Sequence, residues 1–128
     1  MPDTFHINLA FEPLFKANGL ASFAALMHGA VGEMISCPRD RRKLYRFSLD
    51  GPEGLAGRFY LKRMTSEPLV WLLKALFLGH RPHCGPIREL RMLSALDRAG
   101  FAVMQPVAWG ESRRLGLPTG GFLVVKEV

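Results

Sequence analysis

Cysteine is scarce in these 128 residues: Cys37 and Cys84 are the only two, far apart and without a Cys-x-x-Cys spacing. A disulfide framework is therefore not what holds the chain together, and two stray thiols suit a reducing compartment. His80 and His83 stand close to Cys84 and hint at a metal site, but a fourth ligand at zinc-like spacing is missing and no metal is assigned. Long apolar runs are missing as well. The longest, residues 69–78, is interrupted by Lys74 and is far too short to span a bilayer. The opening Met1-Pro2-Asp3 is not a basic leader followed by an apolar stretch, so no signal peptide is read and a cytoplasmic protein is expected. Acidic residues are the minority, 11 against 17 Lys and Arg, for a net charge of +6. That balance favours phosphates, nucleic acid or an anionic membrane surface as partners. Arg39, Arg41, Arg42, Lys43 and Arg46 make one basic cluster and Arg113 with Arg114 a smaller one. Few base-stacking aromatics surround the larger cluster, which places nucleic acid last among these partners.

What is present suffices for a folded domain. Apolar residues make up 48% of the chain, enough for a real core, and the length is that of one domain, 1–128. Residues 1–25 read as an N-terminal arm with Phe5, Phe11 and Phe15 but no clear period. Residues 30–36 read as a strand and residues 37–42, with Pro38 and Asp40, as a turn. Tyr45, Phe47 and Leu49 alternate with Arg46 and Ser48, the period of a half-buried strand. Residues 50–54 are a loop. In residues 58–63, Phe59 and Leu61 fall on one face and Tyr60 and Lys62 on the other. These three strands read as an antiparallel meander. A first helix is expected from Ser66 to a stop at Gly79, with Leu69, Leu72, Leu73, Leu76 and Phe77 at helical spacing. A second starts near Pro86, carries Ile87, Leu90, Leu93 and Leu96 on one stripe, and ends at Gly100 in a left-handed cap. Residues 101–109 read as a strand with an edge or bulge at Pro106, 111–120 as a polar hairpin loop, and 122–125 as a buried strand. The layout is α+β, about five antiparallel strands with helices segregated on one side.

Within this layout Lys62 and Glu89 carry the chemistry. A strand fixes the direction of a lysine, and a carboxylate on a packed helix can aim it through an ion pair. Protein kinases hold nucleotide phosphates with such a strand lysine and helix glutamate. Taken singly, Lys62 also reads as a solvated strand-end lysine, and Glu89 as a first-turn carboxylate favoured by the helix dipole. No Gly-x-Gly-x-x-Gly stands between the first two strands. The turn at that place is Cys37-Pro38-Arg39-Asp40-Arg41-Arg42-Lys43, which offers guanidinium forks in place of backbone amides, or is simply solvated.

The order of short motifs then resembles a family. Gly29 before a basic turn, Tyr45-Arg46-Phe47, Arg58-Phe59-Tyr60-Leu61-Lys62-Arg63, Arg88-Glu89, Gly100-Phe101, Pro106-Val107, Gly110 and Gly121-Phe122-Leu123-Val124-Val125-Lys126-Glu127 are similar in order to lipopolysaccharide core kinases. These are the Kdo and heptose kinases with a protein-kinase-like fold. The resemblance covers the chain from about Leu26 and only the N-terminal lobe of such an enzyme. It implies the following assignments. Lys62 and Glu89 are catalytic, with Lys62 on the ATP phosphates. Arg39, Arg41 and Arg42 stand in for the glycine loop. Lys126, Glu127 and Val128 enter the hinge that holds adenine. An extra helix precedes the glutamate helix. The catalytic and metal-binding aspartates belong to a C-terminal lobe expected to be absent, so Mg2+ is bound only in the intact enzyme and the chain is not expected to transfer phosphate alone. The implied partners are ATP and, in the intact enzyme, a lipopolysaccharide-core sugar. A location peripheral to the inner membrane and self-association through the face left by the missing lobe are further expectations. The alternative is a non-catalytic, degenerate kinase-like module that binds phosphate-bearing ligands.

Overall fold

The computed structural model describes residues 3–39, 42–50, 56–64, 73, 77, 85–114 and 117–126. In chain order the elements are β1 (Asp3–Ile7), α1 (Glu12–Ala17), α2 (Phe23–His28), β2 (Glu33–Arg39), β3 (Arg42–Asp50), β4 (Ala56–Met64), α3 (Gly85–Arg98), β5 (Gln105–Arg114) and β6 (Leu117–Lys126). The strands form one six-stranded antiparallel sheet in the order β1-β5-β6-β4-β3-β2. The fold is thus α+β, with six strands where the sequence suggested about five.

The sixth strand comes from the segment read as an arm. β1 pairs along β5 from Asp3 opposite Ser112 to Ile7 opposite Ala108. β1 has five residues and α1 and α2 six each, too short to display a period in the sequence. α2 also runs across residue 25, so the arm boundary does not exist as a structural break. Ser22 caps α2 by accepting the Ala25 backbone N–H at 3.1 Å.

The alternation in β3 and β4 divides the sheet into two faces. Phe47, Leu49, Phe59 and Leu61 are buried with Phe122 and Val124 of β6, under Leu14 and Phe15 of α1 and Leu26 and Met27 of α2. Aromatic rings dominate this layer. Phe15 meets Phe59 edge-on at 5.2 Å between centroids, and Phe47 stacks on Phe59 at 5.4 Å. The opposite face carries a smaller core of Leu93 from α3 against Leu123 and Val125, with Tyr60, Leu90, Val103, Met104 and Trp109 around it. β6 lies between the two layers, so residues 122–125 are all fully buried, the unbroken apolar run that a strand covered on both faces needs.

Several strand ends differ from the sequence reading. β2 begins at Glu33, after Gly32 turns the chain at φ +60°. It then continues through Cys37 and Pro38 to Arg39, where a turn was expected. Register shifts on either side of Ser36 absorb the proline on this edge strand. The expected strand at 101–109 starts only at Gln105, because the Phe101 N–H is taken by the Leu96 carbonyl. That bond and one from the Gly100 N–H to Asp97 close α3 with Gly100 at φ +94°, the left-handed cap the sequence pointed to. The shift between Pro106 and Ala108 is the bulge expected there. The polar loop at 111–120 is mostly strand, since β5 runs to Arg114 and β6 starts at Leu117. Glu111, the first residue of that expected loop, is buried and ion-paired to Arg113 at 2.5 Å. The expected helix at 66–79 and the loop at 50–54 fall almost wholly outside the described residues, as do Cys84, His80 and His83. Of that helix, Leu73 and Phe77 are described and are helical.

Candidate functional site

Lys62 lies on β4 directly between Leu44 of β3 and Leu123 of β6. Trp109 of β5 continues the same cross-strand row beyond Leu123. The alternation that buries Phe59 and Leu61 on the aromatic side leaves Lys62 on the side covered by α3. α3 is held there by Ile87 and Leu93, both buried, and by Leu90 packed on Leu123 and Val125. Glu89 stands four positions before Leu93, one turn away on the same helix face, and is thereby turned toward the sheet.

The Lys62 Nζ donates to Glu89 Oε2 at 2.5 Å across 27 positions of sequence. The two side chains are 31% and 29% exposed. A pair this wet contributes on the order of 1 kcal/mol or less. Burying Leu93 is worth more, about 2–5 kcal/mol by the cost of truncating such a residue. The helix therefore holds the pair, and the pair does not hold the helix. The ammonium is left fixed in direction, beside an apolar wall, and open to solvent on one side. Such a group can receive an anion without first being ordered.

The neighbouring cation on this face is Arg46, whose position in the register is opposite Tyr60. Its guanidinium reaches Glu33 on β2 at 3.6 Å. Arg39 pairs with Arg42 in the register, so the described part of the basic cluster lies where β2 and β3 meet. Arg41 lies outside the described residues, as do the side chains of Arg39 and Arg42, and Glu127 and Val128 lie outside as well. Lys126 ends β6 opposite Phe59. Its ammonium stands 5.5 Å over the Phe11 ring, on the aromatic side of the sheet and away from Lys62. Among the sequence-chosen residues, the structure therefore joins Lys62 with Glu89 and turns the Lys126 side chain to the other face.

No family model, curated protein or solved structure matches the chain.

The role of one residue near the site had escaped the sequence reading. Arg63 alternates to the aromatic side and is buried. Its Nε donates to the Leu26 carbonyl at 2.7 Å and its Nη2 to the Gly29 carbonyl at 2.5 Å, while its guanidinium lies 4.8 Å over the Tyr45 ring. It closes the C-terminal end of α2, where a cation meets the negative end of the helix dipole. Nothing local signals this, because the carbonyls it satisfies lie 37 and 34 positions away. Tyr60 shares the face of Lys62, as its alternation with Phe59 and Leu61 indicated, and packs against the small core under α3. Among the described residues no three His, Cys, Asp or Glu side chains converge as a metal set.

Proposed function

We propose that this chain is the ATP-binding lobe of a lipopolysaccharide-core sugar kinase. The observation that carries the reading is the Lys62–Glu89 pair: a lysine on the third strand of the β2-β3-β4 meander, met at 2.5 Å by a glutamate on the next described helix. Kinases place their lysine on the third strand and their glutamate on the helix that follows. Supporting it, β6 runs beside the lysine strand and ends at Lys126, where the resemblance puts the start of an adenine-holding hinge. In this reading Lys62 neutralises charge on the ATP phosphates and Glu89 keeps it aimed. Arg39, Arg41 and Arg42 of the basic turn add guanidinium contacts. The intact enzyme would transfer the terminal phosphoryl group to a Kdo or heptose hydroxyl. The base and the Mg2+ ligands for that step would come from elsewhere, since Asp97 stands exposed late on α3 and Asp40 and Asp50 precede Lys62 in the sequence.

The composition of the basic turn favours a second reading. Residues 37–43 contain no glycine, the residue that lets backbone amides approach phosphate in kinases. A module that binds phosphate-bearing ligands without catalysis needs only the cations. Titration with ATP, ADP and inorganic pyrophosphate separates the two readings. A kinase lobe should bind the adenine nucleotides more tightly than pyrophosphate, and a phosphate module should not. In either case Lys62→Ala should weaken binding about tenfold or more, the worth of one charge-assisted contact, and added salt should weaken it further. The 128 residues should not phosphorylate a lipopolysaccharide-core acceptor in a radiolabel assay. Turnover that survives in Lys62→Ala would remove the site assignment.

A further inference from the structure

β3 runs further than the strand on its outer side. It pairs with β4 as far as Asp50 opposite Ala56, but its register with β2 begins only at Glu33 opposite Arg46. The chain reaches that point through Gly32, which lies so close to β3 that a Cβ there would run into the Arg46 carbonyl oxygen and the Phe47 side chain. Before Gly32 the chain belongs to the aromatic layer, where Val31 is buried. Residues 47–50 are thus left, among the described residues, without a strand on the β2 side. Alternate residues of a strand turn their N–H and C=O to the same edge, so part of the main chain of this stretch faces outward. An open groove of about 540 Å³ adjoins it. Leu20, Val31 and Leu49 line the groove with apolar surface, and Arg46, Ser48 and Glu33 with polar groups.

We propose that this groove takes an extended acidic peptide, which adds as a strand to residues 47–50 of β3 and brings a carboxylate to Arg46. The open strand edge selects an extended main chain, because only that presents amides and carbonyls at the spacing of the edge. An added strand also alternates its side chains between the two faces of the sheet. One set then meets Leu20 and Val31 on the aromatic side, and the other stands beside Ser48 and Arg46. Charge selects the second set. The one described contact of the Arg46 guanidinium is with Glu33 at 3.6 Å, beyond hydrogen-bonding distance, and the two side chains are 44% and 73% exposed. So weak a pair leaves the guanidinium fork available to an incoming carboxylate. The net charge of +6 favours an acidic partner and opposes a second copy of this chain in the groove. The inference does not depend on the nucleotide reading, since neither Lys62 nor Glu89 lines the groove.

The test is titration of the isotope-labelled chain with a blocked peptide of alternating valine and glutamate, followed by amide resonances. Shifts should centre on residues 31–33 and 46–49, and hydrogen exchange should slow within 47–50. Arg46→Ala should weaken binding about tenfold, the worth of one charge-assisted contact. A probe with lysine in place of glutamate should bind more weakly by at least as much. N-methylation of one set of alternate probe amides should abolish binding, and methylation of the other set should leave it nearly intact, because a strand turns only every second amide to a given edge. Ala30→Trp, at an exposed position of the groove wall, should block binding while the thermal melt stays that of the parent. Lys62→Ala should bind the probe as the parent does, which keeps a failure of the nucleotide reading distinct from a failure of this one. Equal effects of the two methylation patterns would overturn the proposal, as would unchanged affinity in Arg46→Ala or no binding of the probe. A dimer in sedimentation without peptide that Ala30→Trp dissolves would give the groove to a second copy and overturn it too.

Discussion

At the scale of single residues, neighbours on β4 do opposite work. Lys62 and Arg63 are adjacent in the chain and face opposite sides of the sheet because side chains alternate along a strand. Arg63 is structural. It satisfies two carbonyls at the end of α2 and lies over Tyr45. Arg63→Met should cost about 2–4 kcal/mol in urea unfolding, since it removes two charge-assisted bonds and orphans their acceptors. Arg63→Lys should lose about half as much, because an ammonium keeps the charge but not the fork that reaches both carbonyls. Equal stability of the methionine variant and the parent would contradict the clamp. Lys62 and Glu89 behave otherwise. Glu89→Gln should change stability by less than about 1 kcal/mol, whereas Leu93→Ala should cost about 2–5 kcal/mol by leaving a cavity against Leu123. The comparison of the two denaturation midpoints checks whether helix packing or the ion pair fixes α3.

Among the elements, β1 and α1 carry more than their sequence suggested. Phe15 of α1 is fully buried against the rings of Phe47 and Phe59, so Phe15→Ala should cost about 3–5 kcal/mol, the range for a buried phenylalanine. A dispensable arm would give a change close to zero. Gly110 on β5 allows β1 to lie close. A Cβ there would meet the Thr4 carbonyl oxygen at 2.6 Å and the Phe122 ring at 2.8 Å. Gly110→Val should therefore detach β1, seen as fast hydrogen exchange at the amides of residues 4–7 while β3 and β4 stay protected. Protection unchanged along β1 would show that the strand accommodates the branch.

For the whole molecule, the decisive feature is one sheet with a core on each face. β6 contributes Phe122 and Val124 to one core and Leu123 and Val125 to the other. Neither layer can be lost without exposing residues of the same strand. Tryptophan fluorescence and far-ultraviolet circular dichroism should therefore report a single coincident unfolding transition. Separate midpoints for the two probes would mean that the α3 side melts independently of the aromatic side.

The sequence by itself determined the alternating strands β3 and β4, the doubly buried strand at 122–125, the apolar stripe of α3 and its stop at Gly100. Each of these rests on a period or a backbone preference that neighbouring residues display locally. It also singled out Lys62 and Glu89 as a pair, through residue type and the order of a strand and a helix. Tertiary structure alone decided the sixth strand, because a five-residue segment has no period and β1 exists only where β5 offers it an edge. It decided the inward burial of Glu111, which depends on Arg113, and the clamp made by Arg63, which depends on carbonyls far away in the chain. It also decided that Lys126 faces Phe11 while Lys62 faces Glu89, since the parity of two paired strands is set by their register and not by either sequence.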